Sequence, residues 1–272
     1  MQGYHYETTP YSHQREALED SWAAEYYALF MEMGTGKSKV AIDTMAVLYE
    51  AGLLKAALVI APKGVYDNWV KGEIPIHLPK RIPRTICRWT PSKTKRFEEE
   101  LMAFIVDKEP ALKIFVMNVE AFSSARGPTA ATAFLYQNPE NMVVVDESTT
   151  IKNRKAARTK AIMGLQKRSK YRRILTGSPI TKSPMDLFSQ CGFLAEKSLG
   201  FNSYYAFQAR YANIQRRTMG HRSFQQITGY QRLDELSLKL DRFSNRVLKA
   251  DCLDLPAKVY LRRDVDLTPE QE

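Results

Sequence analysis

The sequence predicts an α/β fold, a doubly wound and mostly parallel sheet with helices on both faces. Near-continuous apolar strands separated by helices are typical of such a sheet. A glycine-rich loop follows the first apolar run, and two adjacent acids end the fifth. The six runs lie between residue 12 and about residue 175, separated by helical patterns, at 26–30, 56–61, 84–89, 112–117, 142–146 and 172–177.

The pattern changes after Pro184. "MDLFSQCGFL" and "LDELSLKLDRFSNRVL" have helical periodicity, whereas "NIQRRTMGHRSFQQITGY" between them, with a central Met-Gly, is typical of a β-hairpin. We therefore expect residues 1–184 to form the main lobe and residues 185–250 to form a helical and β-hairpin protrusion on it.

Composition limits the class of protein. The chain has 272 residues, 44% of them hydrophobic, which excludes a disordered or fibrous protein. Lysine and arginine outnumber acids 40 to 30, so a polyanion such as nucleic acid is a natural partner, although a basic balance can also serve solubility alone.

The three cysteines form no C-x-x-C pair, so neither a disulfide framework nor a zinc site is indicated. We expect no membrane span and no signal peptide, since no uncharged apolar run approaches the roughly 18 residues required.

The stretch "MEMGTGKS", residues 31–38, has the composition of a phosphate-binding loop. Gly34 and Gly36 let backbone N–H groups turn towards a phosphate, and the helix that follows adds positive potential. Lys37 can reach the β- and γ-phosphates, and Ser38 can hold magnesium. Met31 replaces the first glycine of the full G-x-x-x-x-G-K-[ST] pattern, so a simple glycine turn that opens a helix is the alternative.

A second group of polar residues ends the apolar run "MVVVD". Asp146 and Glu147 should lie at the carboxyl edge of the sheet, where open α/β folds bind ligands. Asp146 can complete a magnesium shell through water, and Glu147 can orient and deprotonate an attacking water. Solvated acids at a strand end are the alternative. A phosphate loop and an acidic strand end in one chain favour a catalytic group of Lys37, Asp146 and Glu147.

Six segments follow the order and spacing of motifs Q, I, Ia, Ib, II and III of superfamily 2 helicases, and they most resemble the Swi/Snf family. The resemblance implies a RecA-like lobe of an ATP-hydrolysing DNA translocase or helicase, with ATP and Mg²⁺ as cofactors. It continues through "RFSNRVLKADCLDLPAK", so residues 251–272 resemble the start of a linker to a second lobe that is missing here. The six segments are "PYSHQREAL", "MEMGTGKS", "LVIAPKGVYDNW", "MNVEAF", "VVVDESTTIKN" and "RRILTGSPITKSPMDLF".

The resemblance also implies roles for individual residues. Gln14 would recognise adenine, Lys63 would face the DNA backbone, and Thr176 with Ser178 would couple the nucleotide state to DNA contact. Thr149 stands where the family has a histidine, and whether it can take over the coupling role of that histidine stays open. The residues implied to bind the phosphates are Gly34, Thr35, Gly36, Lys37 and Ser38, and those implied to hold magnesium are Ser38 and Asp146.

No acidic residue lies between Glu147 and Asp186, whereas basic residues are frequent from Lys152 to Arg173 and beyond. Such a stretch can track phosphates, because neutralising them releases counterions, although a solvated face is the alternative. We expect sequence-independent contact with duplex DNA, since nothing assigns these residues to base edges. The predicted contacts are Lys152, Arg154 and Lys155, and the wider stretch includes Arg172 and Arg173.

Two-lobed motors of this superfamily carry arginine fingers in a motif that resembles Q-x-x-G-R-x-x-R, and this sequence contains no Gly-Arg dipeptide. We therefore expect those arginines on the missing C-terminal lobe. Two other functions stay open: a self-contained P-loop kinase or phosphotransferase, and a non-catalytic DNA-binding module whose phosphate loop has decayed. The compact chain favours a monomer in the cytoplasm of a bacterial cell or a virus-infected host cell.

Overall fold

The computed structural model describes residues 3–219 and 222–252, so most of the predicted linker, residues 251–272, lies outside the described residues. The strands are β1 Tyr26–Met31, β2 Ala56–Ala61, β3 Arg84–Arg88, β4 Leu112–Asn118, β5 Asn141–Asp146, β6 Tyr171–Leu175, β7 Ala212–Met219, β8 Arg222–Tyr230 and β9 Ser244–Val247. The α-helices are α1 Ser12–Ser21, α2 Lys37–Glu50, α3 Tyr66–Asn68, α4 Ile74–His77, α5 Lys95–Val106, α6 Arg126–Gln137, α7 Ala157–Gly164, α8 Leu187–Leu194, α9 Tyr204–Tyr211, α10 Leu233–Leu240 and α11 Lys249–Cys252.

The main sheet has seven strands in the order β3-β4-β2-β5-β6-β1-β9, and every neighbouring pair is parallel. Its first six strands in chain order are the six predicted apolar runs, so the predicted α/β class is confirmed. Because all the strands run in one direction, the loops that follow them meet at one edge of the sheet.

Side chains alternate between the two faces of the sheet. Phe30 and Val145 point into a core completed by residues of α5, α6, α7 and α8. Their neighbours Leu29 and Val144 point into a second core, which α1, α2 and Trp69 complete. A parallel sheet covered on both faces explains why its strands read as continuous apolar runs.

The seventh strand of the main sheet, β9, corrects the prediction for the segment 233–248. The segment 233–248 was expected to be helical throughout, but α10 ends at Leu240 and β9 follows, paired in parallel with β1. Pairing runs from Ala28↔Ser244 to Met31↔Val247, and Val247 packs into the second core. Helical periodicity cannot reveal a short edge strand, because its partner lies at the other end of the chain.

The predicted protrusion, residues 185–250, is therefore wrong in extent. Phe193 and Leu194 of α8 are fully buried in the first core, and β9 belongs to the main sheet. The hairpin is the part that stands apart: β7 and β8 form their own antiparallel sheet, and the side chains of residues 213–218 are exposed.

One further property concerns membranes. No helix in the described part of the chain is both long and apolar enough to cross a bilayer.

Candidate nucleotide-binding site

The loop between β1 and α2 has, at two points, a backbone conformation that strongly favours glycine. Gly34 and Gly36 have φ values of 84° and 88°, in the left-handed region. A Cβ on Gly36 would lie 2.2 Å from Nε2 of Gln14. Among the described residues, no hydrogen bond uses the backbone N–H groups of Gly36, Lys37 and Ser38. These amides open the 14-residue helix α2, so the loop fits an anionic group such as a nucleotide phosphate.

Two side chains of α1 brace this loop from outside. Nε2 of His13 and Nε2 of Gln14 donate to the carbonyl oxygen of Thr35, at 2.8 Å and 3.0 Å. Oε1 of Gln14 accepts from the backbone N–H of Tyr11 at 3.1 Å. Gln14 thus holds the loop, while its role in adenine recognition stays a prediction. His13 was not predicted, because a lone histidine beside a motif carries no signal of its own.

Asp146 ends β5 and is almost completely buried. Its Oδ2 accepts from Nε1 of Trp69 at 2.9 Å, and its Oδ1 accepts from the backbone N–H of Glu147 at 2.9 Å. Burial raises the pKa of Asp146, whereas the Trp69 hydrogen bond and the positive charge of Lys37 oppose that rise. A buried carboxylate near the phosphate loop has the hard oxygen ligands that Mg²⁺ prefers.

Glu147 lies between two neighbouring loops. Its Oε1 is 3.4 Å from Nζ of Lys37, and its Oε2 accepts from Oγ1 of Thr176 at 3.3 Å. Its backbone has a φ of 47°, which is uncommon for a residue other than glycine and is frequent where function requires a strained geometry. The loops after β1, β5 and β6 therefore meet at this carboxylate, while the catalytic roles of Lys37 and Glu147 and the coupling role of Thr176 stay predictions.

The loop after β6 also passes close to the backbone of the phosphate loop, at Gly177. A Cβ on Gly177 would lie 3.1 Å from the backbone nitrogen of Met33 and 3.2 Å from Cα of Glu32. The N–H of Ser178 donates to Oγ1 of Thr176 at 3.2 Å, and Ser178 itself is exposed. Thr176 is thus part of the cluster and Ser178 lies at its margin.

A buried glutamine that was not predicted links two of these loops. Oγ of Ser148 donates to Oε1 of Gln190 at 2.7 Å. Nε2 of Gln190 donates to the carbonyl oxygens of Pro179 and Asp186, at 2.8 Å and 2.9 Å. Gln190 is completely buried in α8. The sequence signal for it was a polar residue inside the apolar helical run "DLFSQCGFL".

The predicted DNA contacts are spread around the same edge of the sheet. Lys63 is exposed in the loop after β2, and Lys155 is exposed after β5. Lys152 contacts Oγ1 of Thr181, and the guanidinium of Arg154 lies 4.4 Å from the ring centre of Tyr204. No described contact joins Lys63 to the other three residues, and their roles stay predictions.

The wider basic stretch is not one surface, which corrects the prediction. Arg173 is completely buried in β6, where Nη2 donates to the carbonyl oxygens of Ser21 and Ala24 at 2.7 Å and 2.8 Å. Nε of Arg172 donates to the carbonyl oxygen of Leu194 at 2.5 Å. Residues 167–170 precede β6 at the opposite edge of the sheet. Net charge along a sequence cannot separate these places. Residues 152–155 lie in the loop after β5, and their contact with DNA stays a prediction.

A phosphate loop after β1, faced by an acidic strand end in a parallel sheet, defines a P-loop nucleotide-binding domain. The chain belongs to the SNF2-related domain family, whose family model matches residues 13–272. The resemblance to the Swi/Snf family is therefore confirmed, and neither a self-contained kinase nor a decayed DNA-binding module is favoured.

Curated relatives share about three residues in ten with this chain. It is 28% identical to the mouse DNA annealing helicase and endonuclease ZRANB3, over 88% of this chain and 21% of that protein. It is 29% identical to the bovine SWI/SNF-related matrix-associated actin-dependent regulator of chromatin subfamily A-like protein 1, over 84% of this chain and 21% of that protein. The chain thus spans about a fifth of the length of these relatives.

Solved structures support the same fold. The Sulfolobus solfataricus SWI2/SNF2 ATPase core in complex with dsDNA matches 94% of this chain and 48% of its own, with a TM-score of 0.67 and 21% identity. The core domain of the same ATPase matches 94% of this chain and 47% of its own, with a TM-score of 0.65 and 22% identity.

We predict that Gly36→Ala abolishes nucleotide binding and destabilises the chain. The substitution forces a side chain into a left-handed backbone and against Gln14, which costs about 1–3 kcal/mol for the strain alone. Urea denaturation and titration with a fluorescent ATP analogue measure both effects. Gly164→Ala is the matched control, because nothing lies within 4 Å of the added Cβ. Unchanged nucleotide affinity in Gly36→Ala would contradict the assignment of the loop.

We predict that Ser148 and Gln190 are energetically coupled. A double-mutant cycle of Ser148→Ala, Gln190→Leu and the double variant should give a coupling energy of about 1 kcal/mol, the usual net value of one hydrogen bond. Urea denaturation of the 272-residue chain provides the free energies of unfolding. Strictly additive effects would show that the hydrogen bond contributes nothing to stability.

Proposed function

We propose that this chain is the N-terminal, ATP-binding lobe of a motor that couples ATP hydrolysis to movement on duplex DNA, as a translocase or helicase. The observation that carries the proposal is the contact of Glu147 with both Lys37 and Thr176. This contact joins the phosphate loop, the acidic strand end and the loop after β6 in one cluster. Such a cluster suits a nucleotide-dependent switch better than a static binding surface.

The residues present fit ATP with Mg²⁺. The free amides at the start of α2 and the ammonium of Lys37 would hold the phosphates, and Ser38 and Asp146 would hold the metal ion. A metal ion held there would supply positive charge to neutralise the phosphates. Trp69 fixes one oxygen of Asp146, so the carboxylate keeps its orientation before nucleotide arrives.

Glu147 is the proposed general base. It would orient a water molecule and accept its proton, once Lys37 has exchanged the carboxylate for the phosphates. Thr176 would respond to this exchange, because its hydroxyl donates a hydrogen bond to the same carboxylate and would follow a change in its position. The loop that contains Thr176 leads through Ser178 to Thr181, and Thr181 contacts Lys152. A hydrogen bond from Thr176, the short chain segment to Thr181 and the contact of Thr181 with Lys152 thus connect the proposed base to a proposed DNA contact.

The proposed motor needs a second lobe. Arginine fingers raise the turnover of enzymes of this type by a factor of about 10³ to 10⁵, and we place them on a C-terminal lobe. Duplex DNA as the partner is supported by the name of the Sulfolobus solfataricus complex and by those of the curated relatives. A monomer in the cytoplasm remains our proposal for the state of the protein.

We predict that Lys37→Ala abolishes binding of ATP and Mg²⁺ by the chain, whereas Glu147→Gln retains binding and abolishes turnover in the complete two-lobed protein. Lysine removal takes away the phosphate ligand, while glutamine keeps the shape of the base but cannot accept the proton. Calorimetric titration measures binding, and phosphate release with and without duplex DNA measures turnover.

The nucleotide test has clear opposite outcomes. The isolated chain should hydrolyse ATP barely or not at all, and DNA should stimulate the complete protein. Binding that persists unchanged in Lys37→Ala would contradict the site. Strong DNA-independent turnover by the isolated chain would revive the phosphotransferase alternative.

We predict salt-sensitive binding of duplex DNA, reduced by a triple change of Lys152, Arg154 and Lys155 to alanine. Each lost phosphate contact should flatten the slope of log affinity against log salt by about 0.9. The matched control replaces Lys55, Lys80 and Lys108, which precede strands at the opposite edge of the sheet. Equal losses in the two triple variants would mean that net charge, and not this face, binds DNA.

A further inference from the structure

The segment that follows β9 is attached to the start of the phosphate loop. The backbone N–H of Glu32 donates to the carbonyl oxygen of Val247 at 2.9 Å, which extends the pairing of β1 with β9. The backbone N–H of Lys249 then donates to Oε2 of Glu32 at 2.9 Å. Two hydrogen bonds therefore fix the position of Lys249 relative to the loop.

The side chain of Lys249 lies against the loop itself. Its Cε and Nζ are 3.4 Å and 3.5 Å from the point where a Cβ on Gly34 would stand. Gly34 has no side chain, so the ammonium can approach the backbone at the rim of the loop. None of the ion pairs in residues 3–219 and 222–252 involves Lys249.

The two lysines at the loop differ in their surroundings. Lys37 is nearly buried and faces the carboxylate of Glu147. Lys249 is half-buried, and its ammonium lies beside Gly34. A second positive charge beside the free amides at the start of α2 strengthens the electrostatic attraction of an anion. The lysine side chain is also long and flexible enough to reach a bound phosphate.

We propose that Lys249 is a second phosphate ligand of the nucleotide, supplied from outside the phosphate loop by the segment that leads away from β9. The inference rests on the proposed nucleotide binding and adds a residue to it. The same segment also contacts the loop after β6, since Nη1 of Arg246 donates to the carbonyl oxygen of Gly177 at 2.9 Å. If Lys249 holds a phosphate, the position of the segment after β9 depends on whether nucleotide is bound.

The test compares Lys249→Met, Lys249→Arg and the control Lys80→Met in the full 272-residue chain. The methionine variant keeps most of the length of the side chain and removes its charge. We expect Lys249→Met to raise the Kd for ADP and ATP about tenfold at low salt, as for one charge-assisted hydrogen bond, and Lys249→Arg to retain most of the affinity. The exposed Lys80 lies before β3 at the opposite edge, and its loss should leave Kd unchanged.

Salt separates a charge contact from packing. The effect of Lys249→Met should shrink as ionic strength rises, because a partly exposed ammonium is screened, and the thermal midpoint without nucleotide should stay near that of the unchanged chain. A loss of affinity that is equal at low and high salt, or that follows a lowered midpoint, would assign Lys249 a packing role and overturn the inference.

The remaining outcomes distinguish the inference from the proposed function. If the unchanged chain binds nucleotide and Lys37→Ala abolishes it while Lys249→Met does not alter Kd, only the inference fails. If the unchanged chain binds neither ADP nor ATP, the proposed function fails and the inference fails with it.

Discussion

The parallel pairing of β5, β6 and β1 is the constraint on which the site depends. Each strand ends at the same edge, and each delivers one component there: the acids after β5, Thr176 after β6 and the phosphate loop after β1. A shift of one residue in any register would turn the side chains of that strand to the opposite face and move its final residue along the edge. The contacts of Glu147 with Lys37 and Thr176 require all three registers at once.

The cluster also depends on polar groups that are satisfied before any ligand arrives. Trp69 and the backbone of Glu147 hold the two oxygens of Asp146, and Gln190 joins the loops after β5 and β6 with three hydrogen bonds. Buried polar groups are costly unless paired, so this network allows charged residues to lie close to the core. Preorganisation of this kind spares Asp146 a rearrangement when nucleotide binds.

Much of the fold could be predicted from the sequence, because six strands buried on both faces leave long apolar runs. The site motifs were equally visible, since Gly34, Gly36 and the pair Asp146–Glu147 have few other reasons to occur in that order. The edge strand β9 was missed because it is short, half-exposed and paired with the distant β1. Arg173 was misplaced because its sequence neighbours are basic, whereas its carbonyl partners at Ser21 and Ala24 come from another part of the chain.

The close approach of Gly177 to the phosphate loop has a mechanical consequence. Where side chains separate two loops, their torsions absorb small displacements. At Gly177 there is no side chain, and the nearest atoms of the phosphate loop are backbone atoms of Glu32 and Met33. Compact interiors have low compressibility and transmit strain, so we expect a movement of a few tenths of an ångström in one loop to displace the other. The glycine thus makes the joint stiff, and the stroke of the proposed motor would begin with two loops that move as a single body.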